Sequence, residues 1–399
     1  MTGAFDGIRI LDFTRYQQGP FATVLLSDLG AEVIKVEPPG GEPGRATGRD
    51  RTGFSDYFEA HNRGKKCMTI DLRRDGAREL VLRLVPGFDV VVENYRPGFM
   101  ERLRLGYADL REARADIILA SASAFGRAGP WAQRPGYDHV AQALSGVMVE
   151  QGGGPGHKPE ALIGGFADQV SAIMLAFAIS SALFARERTG EGQHVDVSLL
   201  GSMTAMQAMQ LTRYLRTGRQ LGKQRYRTAT YTHYECADGG SIAIAANTQA
   251  MWERLCDAIG QPALREDERF RDPFARERHV MDLVAILEAA FATATVADWE
   301  RRLTEADVPN APVLDYGGVA AHPQVAANGY LIEIDHPNLG RMRVPGPAVH
   351  MSGTPARVQG GGAELGQHTE EILRGAGLTW EEIAALRERG VIEPTAREG

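Results

Sequence analysis

The chain has 399 residues, enough for two domains of ordinary size. With 43% hydrophobic and 24% charged residues it can build a sizeable core, which sets it apart from disordered and low-complexity chains. The formal charge is -7 and no Lys/Arg-rich block interrupts the sequence, so nothing recommends a nucleic-acid partner.

Cys67, Cys236 and Cys256 match no CxxC or zinc spacing, and a sparse, odd set argues for a reducing compartment. The opening MTGAFDGIRILDF lacks the basic-then-apolar pattern of a signal peptide, so a cytoplasmic location is expected. The most apolar stretch, Val170 to Ala185, is shorter than the roughly 20 residues of a spanning helix. It is expected to be a buried helix, and no membrane partner is expected.

In chain order, Ile8 to Thr14 is an apolar run rich in β-formers. It is followed by a polar loop, by Pro20 where a helix would start and by Gly30 where it would stop. Ala31 to Glu37 reads as the next strand. CMTIDL, DGARELVLRLV, DVVVEN, FMERL and DIILASAS continue the alternation to Ser123. Short apolar strands separated by amphipathic helices predict an α/β fold, a doubly wound parallel sheet covered on both faces.

From Val140 to Leu200 the pattern reads as helical and loop-rich, with Gly152 to Gly154 as a turn-forming insert. Ser202 to Leu221 reads as one long helix whose stripe of Met203, Met206 and Met209 suits a core or subunit interface. YTHYECADGGSIAIAA predicts a hairpin turning at Asp238-Gly239-Gly240, and the helices after it predict a smaller α+β domain. A second β-rich stretch, LGRMRVPGPAVHMS, precedes a short helical tail.

Ligands of open α/β sheets sit beyond the carboxyl ends of the strands, where loops lead into helix N-termini. Four loops fit: Gln17-Gln18-Gly19-Pro20, Arg73-Arg74-Asp75-Gly76, Asn94-Tyr95-Arg96-Pro97-Gly98, and the segment from Phe125-Gly126. Their amides and arginines suit a phosphorylated ligand with an adenine, although ordinary turn chemistry also explains them. No GxGxxG follows the first strand and no P-loop motif occurs. Asp168 stands out, since it immediately precedes the long apolar helix. It is either a structural N-cap, its charge favoured by the helix dipole, or a carboxylate held in an apolar pocket as a nucleophile. Asp12 and Asp71 are read as local hydrogen-bonding groups. His61, His139, His233 and His350 lack metal-ligand spacing, so no metal site is expected.

Six segments in order carry a resemblance: LDFTRYQQGPFATVLLSDLGAEVIKVEPPGG, HNRGKKCMTIDL, VVENYRPGFMERLRLGY, RPGYDHVAQALSG, DQVSAIMLAFAISSALFARERTGEGQHVDVSL and LGQHTEEIL. Together, from Gly7 to Val391, they resemble the class III CoA-transferases, which share their fold with the α-methylacyl-CoA racemases. The resemblance implies a CoA-transferase with no permanently bound cofactor, using coenzyme A and acyl-CoA as substrates with a carboxylic acid. It implies a nucleophile at Asp168 and a catalytic Gln17, with CoA contacts at Gln18, Ile70, Asp71, Leu72, Arg73, Asn94, Tyr95, Arg96, Arg102, Tyr137 and Asp138. It also implies aspartyl anhydride and aspartyl-CoA thioester intermediates.

The implied assembly is an interlocked homodimer. The implied division is a large Rossmann-like CoA-binding domain over 1–200, a linker helix over 201–225, a small α+β domain over 226–330 and a return segment over 331–399 that completes the large domain. Two departures matter. Pro38 replaces a basic residue that some members set against the adenosine phosphate, leaving Arg73 or Arg74 to supply that contact. The tetraglycine lid of oxalate-specific members is missing, which argues against oxalate as acceptor. Arg15, Arg45, Arg49, Arg225 and Arg227 are candidates to hold a second carboxylate, with surface solvation as the alternative. Two further readings are weighed. A racemase needs a histidine where Tyr137 stands, and tyrosine is a poor base at neutral pH. An inert subunit of a heteromeric transferase is disfavoured by the intact Asp168 and Gln17.

Overall fold

The computed structural model describes residues 3–51, 53–222 and 228–392. Its chain order begins β1 (Arg9–Asp12), α1 (Gln18–Asp28), β2 (Glu32–Glu37), α2 (Asp56–Asn62), β3 (Lys66–Thr69) and α3 (Ala77–Leu84). It continues through β4 (Val90–Glu93), α4 (Phe99–Arg102), α5 (Tyr107–Ala113), β5 (Ile118–Ser123), α6 (Asp138–Leu144), α7 (Val147–Gln151), α8 (Phe166–Thr189) and β6 (His194–Ser198). These six strands form one parallel sheet in the order β3-β2-β1-β4-β5-β6. The chain runs outward from β1 in one direction and then restarts at β4 on its other side. That reversal opens a crevice at the carboxyl ends of β1 and β4, the switch point where such sheets bind ligands.

Strand pleating sends neighbouring residues to opposite faces. Leu11 and Val91 meet a core that includes Leu80, Val81, Leu110, Ile372 and Ile383. Ile10, Val90 and Val92 meet the other, with Ala22 and Leu26 of α1 and Ala172, Leu175, Ile179 and Leu183 of α8. Both faces are therefore covered, as the apolar runs predict. Strand β6 is an addition to the sequence reading, which takes its neighbourhood as helical and loop-rich. HVDVS carries three polar side chains in five residues and is only partly buried, so it lacks the apolar run of the inner strands.

Helix α8 corrects an expectation. It has 24 residues and is, among the described residues, the one single helix long and apolar enough to cross a membrane; two later helices bent by 111° pass the same test only as a pair. One face packs on α1 and the sheet, while Ile173, Phe177 and Phe184 lie exposed on the other. The segment expected as one helix is broken as well, into α9 (Leu199–Met206) and α10 (Ala208–Thr217). At the break Gln207 turns its amide back to donate to Met203 O and Ser145 O at 2.9 and 3.1 Å. Met203 is buried, whereas Met206 and Met209 are exposed.

The chain divides into two compact units, one of residues 1–151, 159–220 and 326–399 and the other of 152–158 and 221–325. The second unit holds β7 (Tyr231–Glu235), β8 (Ser241–Ala245), α11 (Gln249–Ala258), α12 (Pro273–Arg278), α13 (Val280–Phe291), α14 (Val296–Glu305), β9 (Asn310–Pro312) and α15 (Tyr316–Ala321). β7 and β8 form the expected hairpin, β9 adds antiparallel to it, and Trp252, Phe291 and Trp299 fill the core. Gly152–Lys158 joins this unit rather than the first, because its glycines pass against Leu221 and Gly222 so closely that no side chain fits between them.

The chain crosses back through α16 (Pro323–Ala327), then β10 (Leu331–His336) pairs with β11 (Gly340–Pro345) as a separate two-stranded ribbon. α17 (Thr369–Gly375) and α18 (Trp380–Glu388) then complete one face of the large sheet.

Candidate active site

The loop after β1 is fixed by charges buried beneath it. Asp12 accepts hydrogen bonds from Thr14 N, Thr14 Oγ1, Thr23 Oγ1 and Lys65 Nζ, at 2.8, 2.5, 2.6 and 3.1 Å. Burial pushes its pKa up, but Lys65, Lys35 and the two hydroxyls outweigh burial and bring it down to about 2. Lys35 donates to Thr14 O at 2.9 Å, and Glu42 accepts from Tyr16 N at 3.0 Å. The loop is thus held from below while Tyr16 takes the left-handed backbone at φ 66°. Across the switch point Arg15 N donates to Asn94 Oδ1 and Asn94 Nδ2 donates to Arg15 O, both at 2.8 Å.

A cavity of about 270 Å³ opens over these loops, and Arg15, Gln18, Tyr57, Tyr95, Tyr137 and Asp168 are among the residues lining it. Asp168 is not the N-cap. Gly165, at φ 78°, caps α8, and Asp168 is the third residue of the first turn. The free N–H groups of that turn go instead to Asp138, whose Oδ1 accepts from Ala167 N at 2.6 Å and Asp168 N at 3.3 Å. The expected ionising influence of the helix end is also overruled: burial first, and the neighbouring Asp138 second, push Asp168 up to about 7. Near neutral pH it is part protonated, a carboxyl group poised between acid and nucleophile.

Tyr57, which carries no signal in the sequence, lines the same cavity; burial and then the Asp168 charge hold its hydroxyl protonated well above the usual range. It is a neutral O–H donor beside the carboxyl group. His61 stands behind it, bonded to Tyr57 O at 2.6 Å and to Gln169 at 3.2 Å. Burial pulls His61 down to about 4, so it is neutral at working pH.

The other predicted residues divide into three groups. Gln18, Asn94, Tyr95, Arg96 and Tyr137 line the cavity with Asp168. Gln17 lies against the turn that starts α8, its amide donating to Gly165 O at 3.3 Å; any side chain at position 165 would collide with it. Gln18 has its amide engaged with Ser171 Oγ at 2.6 Å. Ile70 is in the core, Asp71 binds Arg73 through both oxygens at 2.8 and 2.9 Å, and Leu72 packs partly buried on the same core. Arg102 stacks on Phe99. None of these last five side chains lines the Asp168 cavity.

Among the carboxylate-holding candidates, Arg45 and Arg49 line a different cavity of about 290 Å³, together with Glu59, His336 and Glu364. Arg45 is committed there to both oxygens of Glu37 at 2.7 Å. Arg225 and Arg227 lie outside the described residues. Among the described residues no group of three or more His, Cys, Asp or Glu could hold a metal ion.

A doubly wound sheet with a half-buried carboxyl group in a polar cavity at its switch point defines an α/β protein built to work on a bound ligand. The chain belongs to CoA-transferase family III, whose model matches residues 5–369. It is 37% identical to an acetyl-CoA:oxalate CoA-transferase of Acetobacter aceti over 88% of this chain and 90% of that one. It is 34% identical to a succinyl-CoA--D-citramalate CoA-transferase of Chloroflexus aurantiacus, over 97% of this chain and 98% of that one. The crystal structure of a CAIB/BAIF family protein from Brucella suis matches it with a TM-score of 0.83 at 32% identity, covering 94% of this chain and 100% of that one. The chain is therefore a CoA-transferase, an enzyme whose substrates are CoA thioesters.

Proposed function

We propose that this enzyme moves CoA from an acyl-CoA to a carboxylic acid through covalent intermediates on Asp168. The observation that carries the proposal is the Asp168 carboxyl group itself, raised to about 7 in a cavity at the switch point with no cation paired to it among the described residues. A paired carboxylate would be too stabilised to attack a thioester, whereas a desolvated one is reactive.

Asp168 Oδ attacks the thioester carbon, the C–S bond breaks, and CoA leaves as the thiolate from a mixed anhydride. The thiolate attacks the aspartyl carbonyl of that anhydride, releasing the donor acid and forming an aspartyl-CoA thioester. The acceptor carboxylate attacks this thioester, giving a new anhydride and thiolate. The thiolate then takes the acceptor's acyl group and regenerates Asp168. Each step conserves the energy of the thioester.

The developing oxyanion needs donors, each contributing roughly 3–4 kcal/mol when preorganised. The Tyr57 hydroxyl and the Gln17 amide, beside the first turn of α8, are the groups assigned to it. CoA is assigned to the crevice with Gln18, Asn94, Tyr95, Arg96 and Tyr137 along it. Ile70 to Arg73, Arg102 and Asp138 extend that assignment, the first four with the adenosine end.

Intact-protein mass spectrometry during turnover tests the scheme: a CoA adduct should appear and map to Asp168. Its absence under conditions of steady transfer, or its mapping to another residue, would falsify the assignment. Because the carboxylate is the attacking form, adduct formation should slow as pH falls through about 7. In Asp138→Asn that midpoint should move to lower pH, since the amide keeps an acceptor for Ala167 N and removes the neighbouring charge. An unmoved midpoint leaves burial alone as its cause.

We also infer an interlocked homodimer. What supports it is the large apolar side chains left open on the first unit: Ile173, Phe177 and Phe184 on α8, Met206 on α9, and Met209 and Leu215 on α10. Light scattering should give twice the 43.4 kDa chain mass at micromolar concentration, and a stable 43.4 kDa species overturns the inference.

A further inference from the structure

The buried cations of the first unit are neutralised in a consistent way. Arg63 binds Asp28 through two bonds, Arg45 binds Glu37, Lys65 binds Asp12, and Arg186 binds Asp89. Arg15 breaks the pattern. Its Nε is buried without a hydrogen-bond partner. Arg254 and Arg387 have the same orphaned atom, but each is ion-paired, with Asp307 and Glu370 respectively. For Arg15 no carboxylate comes within ion-pairing distance among the described residues.

Its guanidinium is nonetheless held in place. It lies 4.7 Å over the Tyr95 ring, and its backbone is tied in both directions to Asn94. Of the three arginines lining the Asp168 cavity, Arg96 and Arg134 are exposed to solvent, and only Arg15 is drawn into the wall. A planar fork of donors, fixed by stacking and lacking an internal anion, is the form arginine takes where it receives a carboxylate from a ligand.

We propose that Arg15 holds a second, distal carboxylate of the acyl group, so that the enzyme selects dicarboxylic acids and their half-thioesters. The inference rests on the assignment of Asp168 as the covalent residue: one end of the acyl chain reacts there and the other is anchored at Arg15, within a single cavity of about 270 Å³. A monocarboxylic acyl group would leave Arg15 Nε buried and unpaired, which is how a polar site rejects a ligand lacking the matching group.

The test compares succinyl-CoA with butyryl-CoA as donors, using the full chain and glutarate, a dicarboxylic acid, as acceptor. In wild-type protein succinyl-CoA should be preferred, and in Arg15→Gln the ratio of the two kcat/KM values should fall about 30-fold or more. Arg15→Lys, which keeps the charge without the fork, should fall between them. If Arg15→Gln slows both donors by the same factor, Arg15 serves CoA or the fold and the inference is overturned, while the Asp168 scheme stands. If the wild-type protein forms no Asp168 adduct with either donor, the scheme fails and this inference with it. A check that requires no variant is binding of free succinate and butyrate to the wild-type protein. Succinate should bind more tightly, and equal affinities overturn the proposal.

Discussion

Asp168→Asn should end CoA transfer and leave a protein harder to unfold at pH 8 than the original. Loss of the attacking oxygen is expected to lower kcat at least about a thousandfold. The stability gain follows from the raised pKa. An acid whose folded pKa is about 7 instead of 3.8 opposes folding whenever it must ionise. Below pH 3.8 it is protonated in both states and contributes nothing. Between 3.8 and 7 the unfolded chain gains by releasing the proton first, and above 7 the penalty is complete.

Asn carries no charge, so the variant escapes the penalty at pH 8 and has no advantage at pH 3.5. Allowing for the partial exposure of Asp168, the gain at pH 8 is about 1–3 kcal/mol. Urea unfolding of both proteins at the two pH values measures it. A variant equally stabilised at both, or destabilised at pH 8, would show that the carboxylate is not strained in this site.

Different parts of the molecule were legible in the sequence for different reasons. β1 to β5 announce themselves because each is buried on both faces, which demands an apolar run closed by a turn. β6 is half-covered at the edge of the sheet and could keep His194 and Asp196, so its pattern is too polar to separate from a loop. The break at Gln207 was invisible because it depends on a carbonyl, Ser145 O, brought up by a distant part of the chain.

At the site, an acid ahead of a long apolar helix marked Asp168, but which carboxylate caps that helix did not follow from position. Asp138 takes the role from 30 residues away, and its charge helps to raise Asp168 rather than leaving it to the helix dipole. Tyr57 sits in SDYFEA, an ordinary helix start capped by Ser55, and nothing local reveals that the ring faces the Asp168 cavity. The resemblance implies a CoA contact at Gln18, and Gln18 does line the cavity, but with its amide already bonded to Ser171. Motif spacing finds the loop; the hydrogen-bond partners decide what each side chain is free to do.

The loop itself depends on a lysine that never meets the cavity. Lys65→Met should cost about 3–5 kcal/mol and weaken transfer as well, because removing one partner of a buried ion pair leaves the other uncompensated. Lys65 Nζ donates to Asp12 Oδ2 at 3.1 Å, Pro20 O at 2.9 Å and Asn62 Oδ1 at 2.9 Å, and all of these groups are away from solvent. Lys35 also lowers the Asp12 pKa, but its ammonium donates to Thr14 O at 2.9 Å and lies 3.5 Å from Glu42, so it offsets only part of the loss.

The pH dependence identifies the cause. In the original protein Asp12 stays ionised down to about 2, so acid conditions near pH 4 leave it charged and paired. Without the Lys65 charge its pKa rises, the variant can protonate Asp12 on mild acidification, and the deficit should shrink between pH 7 and pH 4. Adding Asp12→Asn should recover part of the loss, because the orphaned charge goes with it. A double-mutant cycle by urea unfolding reads the coupling, and additive losses would mean that Lys65 acts through packing alone. Coupling of the expected size ties the pair to function, since Asp12 holds Thr14, and Thr14 leads the chain into Arg15 and Gln17 at the mouth of the crevice.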